Sequence, residues 1–173
     1  MCIVIDANTL TCVFNNENID HSNFVPVYDW IITGKGKMVI GGSHYGEELN
    51  QVRYLIPFIA QLIKANKVKV LDKQSVDDKE AEILGLVTGR DFDDPHIIAI
   101  VVIGGIRLVC TNEKRAIPFF TNKCFYSKGK APKIYTSRRN TNLLTNKYCI
   151  NCRVDCRKLN KNKYTKLKSY KQG

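Results

Sequence analysis

The chain has 173 residues, 44% of them hydrophobic and 25% charged, with a formal net charge of +11. That length suits one domain with a real core rather than two. Its longest apolar run, IIAIVVIGGI at 97–106, is too short to span a bilayer, so no membrane partner is expected. The start, MCIVIDANTL, has no basic stretch ahead of its apolar residues and does not read as a secretory signal, which points to a soluble, cytoplasmic protein. Seven cysteines, an odd number, fit reduced thiols better than a disulfide framework. Charge is unevenly placed: residues 1–113 hold 10 Lys/Arg and 15 Asp/Glu, whereas residues 114–173 hold 17 and 1. Such asymmetry suggests a basic arm for a polyanion beside an acidic body.

In chain order, CIVI at 2–5 reads as a strand buried on both faces, ending at Asp6. FVPVYDWIITG around 24–34 is ambiguous, and KMVI at 37–40 reads as a second buried strand. A helical stretch is expected from about Glu47 through QVRYLIPFIAQLIKAN, where Leu55, Phe58, Ile59 and Leu62 recur at helical spacing and Pro57 implies a break or kink. KVKVL at 67–71 alternates as a strand does. SVDDKEAEILGLV reads as a helix capped by Ser75 or Asp77. In RDFDDPHIIAI, Asp94 before Pro95 is a strong helix start, followed by a buried helix and a strand, IRLVC, at 106–110. PKIYTS reads as a last strand, and from about Asn140 the chain is polar and lysine-rich. Alternating strands and helices predict an α/β fold with a short, mostly parallel sheet covered on both faces.

In such a sheet functional groups collect beyond the carboxyl ends of the strands. Asp6 ends the first strand, Thr111, Asn112 and Glu113 follow the strand at 106–110, and Glu47 and Glu48 follow the second. The acids Asp91, Asp93 and Asp94 precede a helix that would begin on the opposite side if it were straight and fully stacked. Each acid also has a plainer role open to it: a turn residue at Asp6, a cap at Asp94, solvated turn residues at Asp91 and Asp93, a helix start at Glu47 and Glu48. Converging carboxylates need a cation to offset their repulsion. With oxygen ligands only, that cation is Mg²⁺ or Mn²⁺, which can activate water against a phosphodiester.

These segments resemble the PIN-domain nucleases. IVIDANTL looks like that family's first motif, MVIGGSHYGEELNQ its second, and FDDPHIIAIVVIGGIRLVCTNEKR its third and fourth, with PKIYTSRRNTNLL similar to the final strand. The resemblance covers roughly residues 1–140, with 141–173 as a basic arm, and implies a three-layer α/β/α fold. It also implies that Asp6, Glu48 and Asp94 are metal ligands, with Glu113 in a fourth acidic place that more often holds Asp. Glu48 is preferred over Glu47 because Leu49 follows it, and Asp93 is an auxiliary acid. Asn8 and Thr111 would brace the ligands and the substrate, with Lys114 and Arg115 beside them to meet phosphate. The implied activity is metal-dependent hydrolysis of RNA, and many small members are toxins paired with an antitoxin, so an antitoxin partner and a homodimer are family-level expectations. A haloacid dehalogenase-like phosphatase would want Asp at position 8, where Asn8 stands, and a dinucleotide fold would want a glycine-rich turn after its first strand.

In the arm, KYCINCRVDC spaces Cys149, Cys152 and Cys156 as a zinc site would, with Cys124 the first candidate for a fourth ligand, ahead of His96 and His44. His44 and His96 are better read as surface or active-site neighbours, and the cysteines also read as free thiols on a basic helix. RKLNKNKYTKLKSYKQG interleaves lysines with Tyr164 and Tyr170, which suits phosphate neutralisation and base stacking, or a solvated tail. From a different class, a non-catalytic RNA-binding protein with a decayed acidic site is the alternative.

Overall fold

The computed structural model describes residues 2–86, 92, 94–145 and 158–169. Strands β1 (Cys2–Ile5), β2 (Lys37–Ile40), β3 (Val68–Val70), β4 (Leu108–Cys110) and β5 (Lys133–Tyr135) form one sheet in the order β3-β2-β1-β4-β5, every neighbouring pair parallel. The fold is α/β, and the sheet, expected to be mostly parallel, is wholly so. Every residue of β1, β2 and β4 is buried, as continuous apolar strands between two helical layers should be. The chain steps from β1 out to β3, then crosses back to β4 and β5. Because parallel crossovers are right-handed, the helices of the two halves belong on opposite faces.

On the way out, a 3₁₀ turn (Ala7–Thr9) leads into α1 (Leu10–Phe14) and then α2 (His21–Ile32), which occupies the segment whose sequence was ambiguous. Pro26 sits inside α2 and cannot donate to the carbonyl of Ser22. That carbonyl instead accepts from the Arg138 guanidinium, at 3.2 Å from Nε and 2.7 Å from one terminal nitrogen. After β2 comes α3 (Ser43–Leu49), which begins four residues before the expected start at Glu47. A 3₁₀ segment (Asn50–Leu55) kinked at Val52 then leads to α4 (Ile56–Lys64), so Pro57 falls in a first turn, where proline is tolerated, rather than at a mid-helix break.

The return half opens with α5 (Lys73–Leu86). Its start is capped by Asp72, which accepts from the Ser75 N–H and hydroxyl at 2.9 and 2.7 Å; the expected caps, Ser75 and Asp77, do not serve. Asp77 caps a different helix: it accepts from the Ser43 N–H at 2.7 Å and its hydroxyl at 2.6 Å, at the start of α3. Gly42, which precedes that start at φ 80°, has no side chain to offer, and a Cβ there would lie 2.7 Å from Val76. Next, α6 (Pro95–Gly104) is apolar all round and buried between α5 and the sheet. It ends at Gly105, in the left-handed conformation that suits glycine after a helix.

Beyond β4 lie α7 (Ile117–Phe120), β5 and a 3₁₀ segment (Arg138–Leu143) packed on α2. The boundary expected at 140/141 falls inside that segment. Within the lysine-rich end, α8 (Lys161–Ser169) packs against α4 and buries Leu167, so this part of the arm is not a wholly solvated tail. Among the described residues no helix is long and apolar enough to cross a membrane.

Candidate metal centre

Asp6 leaves the carboxyl end of β1 between β2 and β4, the point at which the chain's path across the sheet reverses. Its N–H continues the ladder to the Cys110 carbonyl (3.0 Å), so its carboxylate is fixed by the sheet itself. That carboxylate is 1% exposed and accepts from the Thr111 hydroxyl at 2.7 Å and the Asn8 N–H at 3.1 Å. Burial raises its pKa above the usual carboxylate range, and the Glu48 charge adds to this, while the bonds from Thr111 and Asn8 and the nearby His96 oppose it. Asn8 acts here through its backbone; its side chain is exposed.

The ends of β1 and β4 are laced together around Asp6. Thr111 Oγ1 also accepts the Glu113 N–H at 2.9 Å, and Thr9 exchanges bonds with Asn112, donating to its side-chain oxygen (2.9 Å) and accepting from its N–H (3.0 Å). From α3, Tyr45 donates its hydroxyl to the Ile5 carbonyl at 2.7 Å, and its burial holds the phenol well above its ordinary pKa. Tyr45 thereby ties α3 to the end of β1, and sequence reasoning missed both it and Thr9.

Glu48, three residues further along α3, is the half-buried member of the glutamate pair, whereas Glu47 is exposed. Glu48 lies near Asp94 and His96 at the start of α6, with one potential ligand atom from each of the three all within 4.8 Å of one another. The opposite-side start that straight, fully stacked elements would give is therefore not what is found for Asp94. A helix between parallel strands runs antiparallel to them, which puts its first turn at their carboxyl edge. Asp94 is the residue before Pro95, yet its carboxylate makes no capping hydrogen bond to α6. Asp91 and Asp93 lie outside the described residues.

His96, read from the sequence as a surface or active-site neighbour, joins the acids as a potential ligand. It is 0% exposed, and neither ring nitrogen has a hydrogen-bond partner. Nε2 lies 3.0 Å from Glu48 Oε2, but not in hydrogen-bonding geometry, and that oxygen is buried and unbonded too. Its ring lies 4.2 Å from the His44 ring, centre to centre. The sequence signal was a single polar residue in an otherwise apolar helix, which a core histidine would equally give.

Glu113 does not join this cluster. Its carboxylate is 40% exposed and bonded to Arg115 Nε at 3.2 Å, which holds its pKa below the usual range. It faces Asp94 across a narrow cleft walled by Phe92, Phe119 and Arg115. Lys114 and Arg115 are exposed at this rim.

The donor set fits a divalent cation. Burying Glu48 Oε2 and both nitrogens of His96 without hydrogen bonds is costly, and a cation among Glu48, Asp94 and His96, beside Asp6, would satisfy the oxygen and one of the nitrogens. Carboxylates alone suit Mg²⁺ or Mn²⁺, and the added imidazole shifts the balance toward Mn²⁺ and later metals. At the cysteines, Cys2 is disulfide-bonded, contrary to the expectation of reduced thiols throughout. Cys12, Cys110 and Cys124 are free. Burial pushes the thiols of Cys12 and Cys110 up, which disfavours the thiolate a metal needs. Cys124 is exposed, and its expected zinc partners Cys149, Cys152 and Cys156 lie outside the described residues. No family model, no curated protein and no solved structure matches this chain.

Proposed function

We propose that the chain is a metal-dependent endoribonuclease of the PIN type. The observation that carries this reading is the convergence of Glu48, Asp94 and the unsatisfied His96 beside buried Asp6, at the carboxyl edge of a parallel sheet where its path reverses. Glu48, Asp94 and His96, with Asp6 beside them, would hold the ion, Mg²⁺ or Mn²⁺, which would supply activation of water and stabilisation of the departing 3′ oxygen of a phosphodiester. The bonds from Thr111 and the Asn8 N–H orient the Asp6 carboxylate and oppose the upward push that burial gives its pKa. Arg115 and Lys114 meet the phosphate chain at the rim, and Lys161 and Lys163 of α8 add exposed positive charge. Glu113 steers Arg115 rather than binding the ion.

The turning of Glu113 toward Arg115 is also what favours a second reading, a non-catalytic RNA-binding module in which the acidic site is incomplete. The two separate in one assay: purified chain with a mixed single-stranded RNA pool, in Mg²⁺, in Mn²⁺ and in chelator, beside Asp6→Asn and Asp94→Asn. The nuclease reading predicts cleavage that needs the ion and falls at least a hundredfold in both variants. Retention of RNA with no cleavage under any ion would leave the binding module standing.

A further inference from the structure

A second set of potential ligands adjoins the first, with His44 Nε2 3.9 Å from Glu48 Oε1. His44 on α3, Glu80 on α5 and His96 on α6 each place one potential ligand atom within 4.8 Å of the others. His44 Nδ1 is 2.8 Å from Glu80 Oε1, and the His44 ring packs against that of His96. The carboxylate of Glu80 is largely buried, at 13% exposed. Nothing in an RNA hydrolase of the kind proposed above requires His44 or Glu80, and three separate helices must be brought together to assemble them.

Two imidazoles and a carboxylate are not a Mg²⁺ site. Mg²⁺ demands oxygen donors and retains its waters, whereas this donor set, three protein ligands with a place left open, is the kind that holds Zn²⁺. His96 is a further sign of a missing partner, since neither buried nitrogen is hydrogen-bonded although Nε2 lies 3.0 Å from Glu48 Oε2, and an imidazole wholly removed from water ordinarily gives at least one nitrogen to a hydrogen bond. The geometry points to a transition-metal site, with Zn²⁺ as its best-matched ion, held by His44, Glu80 and His96. It adjoins the acidic centre through His96 and through the His44 contact with Glu48, but stands on two residues to which the hydrolase reading gives no ligand role.

Occupancy ties α3, α5 and α6 to one another directly above the carboxyl edge of the sheet, in addition to the bonds from Asp77 to Ser43. Metal at this site therefore stabilises the fold by mass action whether or not RNA is cleaved.

The test is binding of Co²⁺, a spectroscopic stand-in for Zn²⁺, to tag-free full-length chain stripped with chelator, with Zn²⁺ competition to measure affinity. Wild type is compared with His44→Ala, Glu80→Gln and Asp94→Asn. Any cysteine-bound ion is common to all four and is recognised by thiolate charge-transfer bands. The expected result is a nitrogen and oxygen ligand spectrum in wild type that Asp94→Asn retains and that His44→Ala and Glu80→Gln each weaken at least tenfold. His44 is 40% exposed, so its truncation leaves the fold intact; Glu80→Gln provides an independent variant that keeps the side chain's size. Equal binding in wild type, His44→Ala and Glu80→Gln, or a wild-type spectrum of thiolate character alone, overturns the proposal. Loss of Co²⁺ in the His44 and Glu80 variants without any RNA cleavage would sink the nuclease reading and leave this site standing. Cleavage with Co²⁺ binding unchanged would do the reverse.

Discussion

An imidazole buried with neither nitrogen hydrogen-bonded carries a penalty of about 1–3 kcal/mol, and His96 is in that position. Replacing it by an apolar side chain of similar volume removes that penalty but also strips Glu48 of its neighbour at 3.0 Å. His96→Leu is therefore expected to lose the stabilisation that Mn²⁺ or Zn²⁺ confers on wild type, read as the difference in urea unfolding between ion and chelator. A variant that gains as much stability from metal as wild type does would show that His96 is simply a packed core residue. Asp6 and His96 differ in how far sequence reveals them. Asp6 is legible because an acid closing a continuous apolar strand has one place to go, the carboxyl edge of a sheet. His96, two residues into an apolar helix, depends on which way the first turn of α6 faces, and no local pattern states that. The preference for Glu48 over Glu47 agrees with the observed burial, since period 3.6 puts Glu48, Tyr45 and His44 on neighbouring faces of α3.

Elements meet at the site through partners distant in sequence. The start of α3 has glycine where a capping side chain would stand, and the missing cap is supplied from α5 by Asp77. The bonds from Ser43 hold the Asp77 carboxyl below the usual range. A depressed folded-state pKa means that its contribution is present in full above the ordinary aspartate value near 4 and is lost as pH falls through the lower folded value. Asp77→Ala is expected to lower the melting temperature at pH 7 and to loosen Glu48 and His44 on the same helix, raising the Mn²⁺ concentration needed for half-maximal cleavage. The gap in melting temperature should close below pH 4. Asp78→Ala, which removes only an exposed bond to Gln74, provides the control. Equal melting temperatures for wild type and Asp77→Ala at pH 7 would contradict the capping role. Strands were legible from apolar runs bounded by polar residues. The helix starts were less so: Ser43 rests on Asp77, and inside α2 the Arg138 guanidinium takes the place of Pro26's missing N–H, partners that local sequence does not reveal, whereas Asp72 caps through Ser75 only three residues on.

At the scale of the whole molecule, charge is separated by chain position, with acids concentrated in residues 1–113 and 17 of the 27 Lys/Arg in the last sixty residues. Buried Leu167 fixes α8 on α4, so this part of the basic arm is an arranged surface. Lys161 and Lys163 are exposed on α8, and Lys163 lines a groove with Gln61 and Lys64 of α4. Substituting Lys161 and Lys163 by Gln is expected to weaken single-stranded RNA binding and to reduce the slope of log affinity against log salt, by about 0.7 for each phosphate no longer neutralised. An unchanged slope would place the RNA elsewhere. The α/β class was legible from the alternation of elements; the docking of α8 was not, because its apolar content is one leucine and one tyrosine among lysines.

The most direct measurement is the chemistry of the ends left by cleavage of a 5′-labelled single-stranded RNA in Mn²⁺. Attack by water with departure of the 3′ oxygen leaves a 5′ phosphate and a 3′ hydroxyl, and these products should vanish in chelator and in Asp94→Asn. Products ending in 2′,3′-cyclic phosphate, formed equally by wild type and Asp94→Asn with or without the ion, would contradict a hydrolytic centre built on Asp6, Glu48, Asp94 and His96.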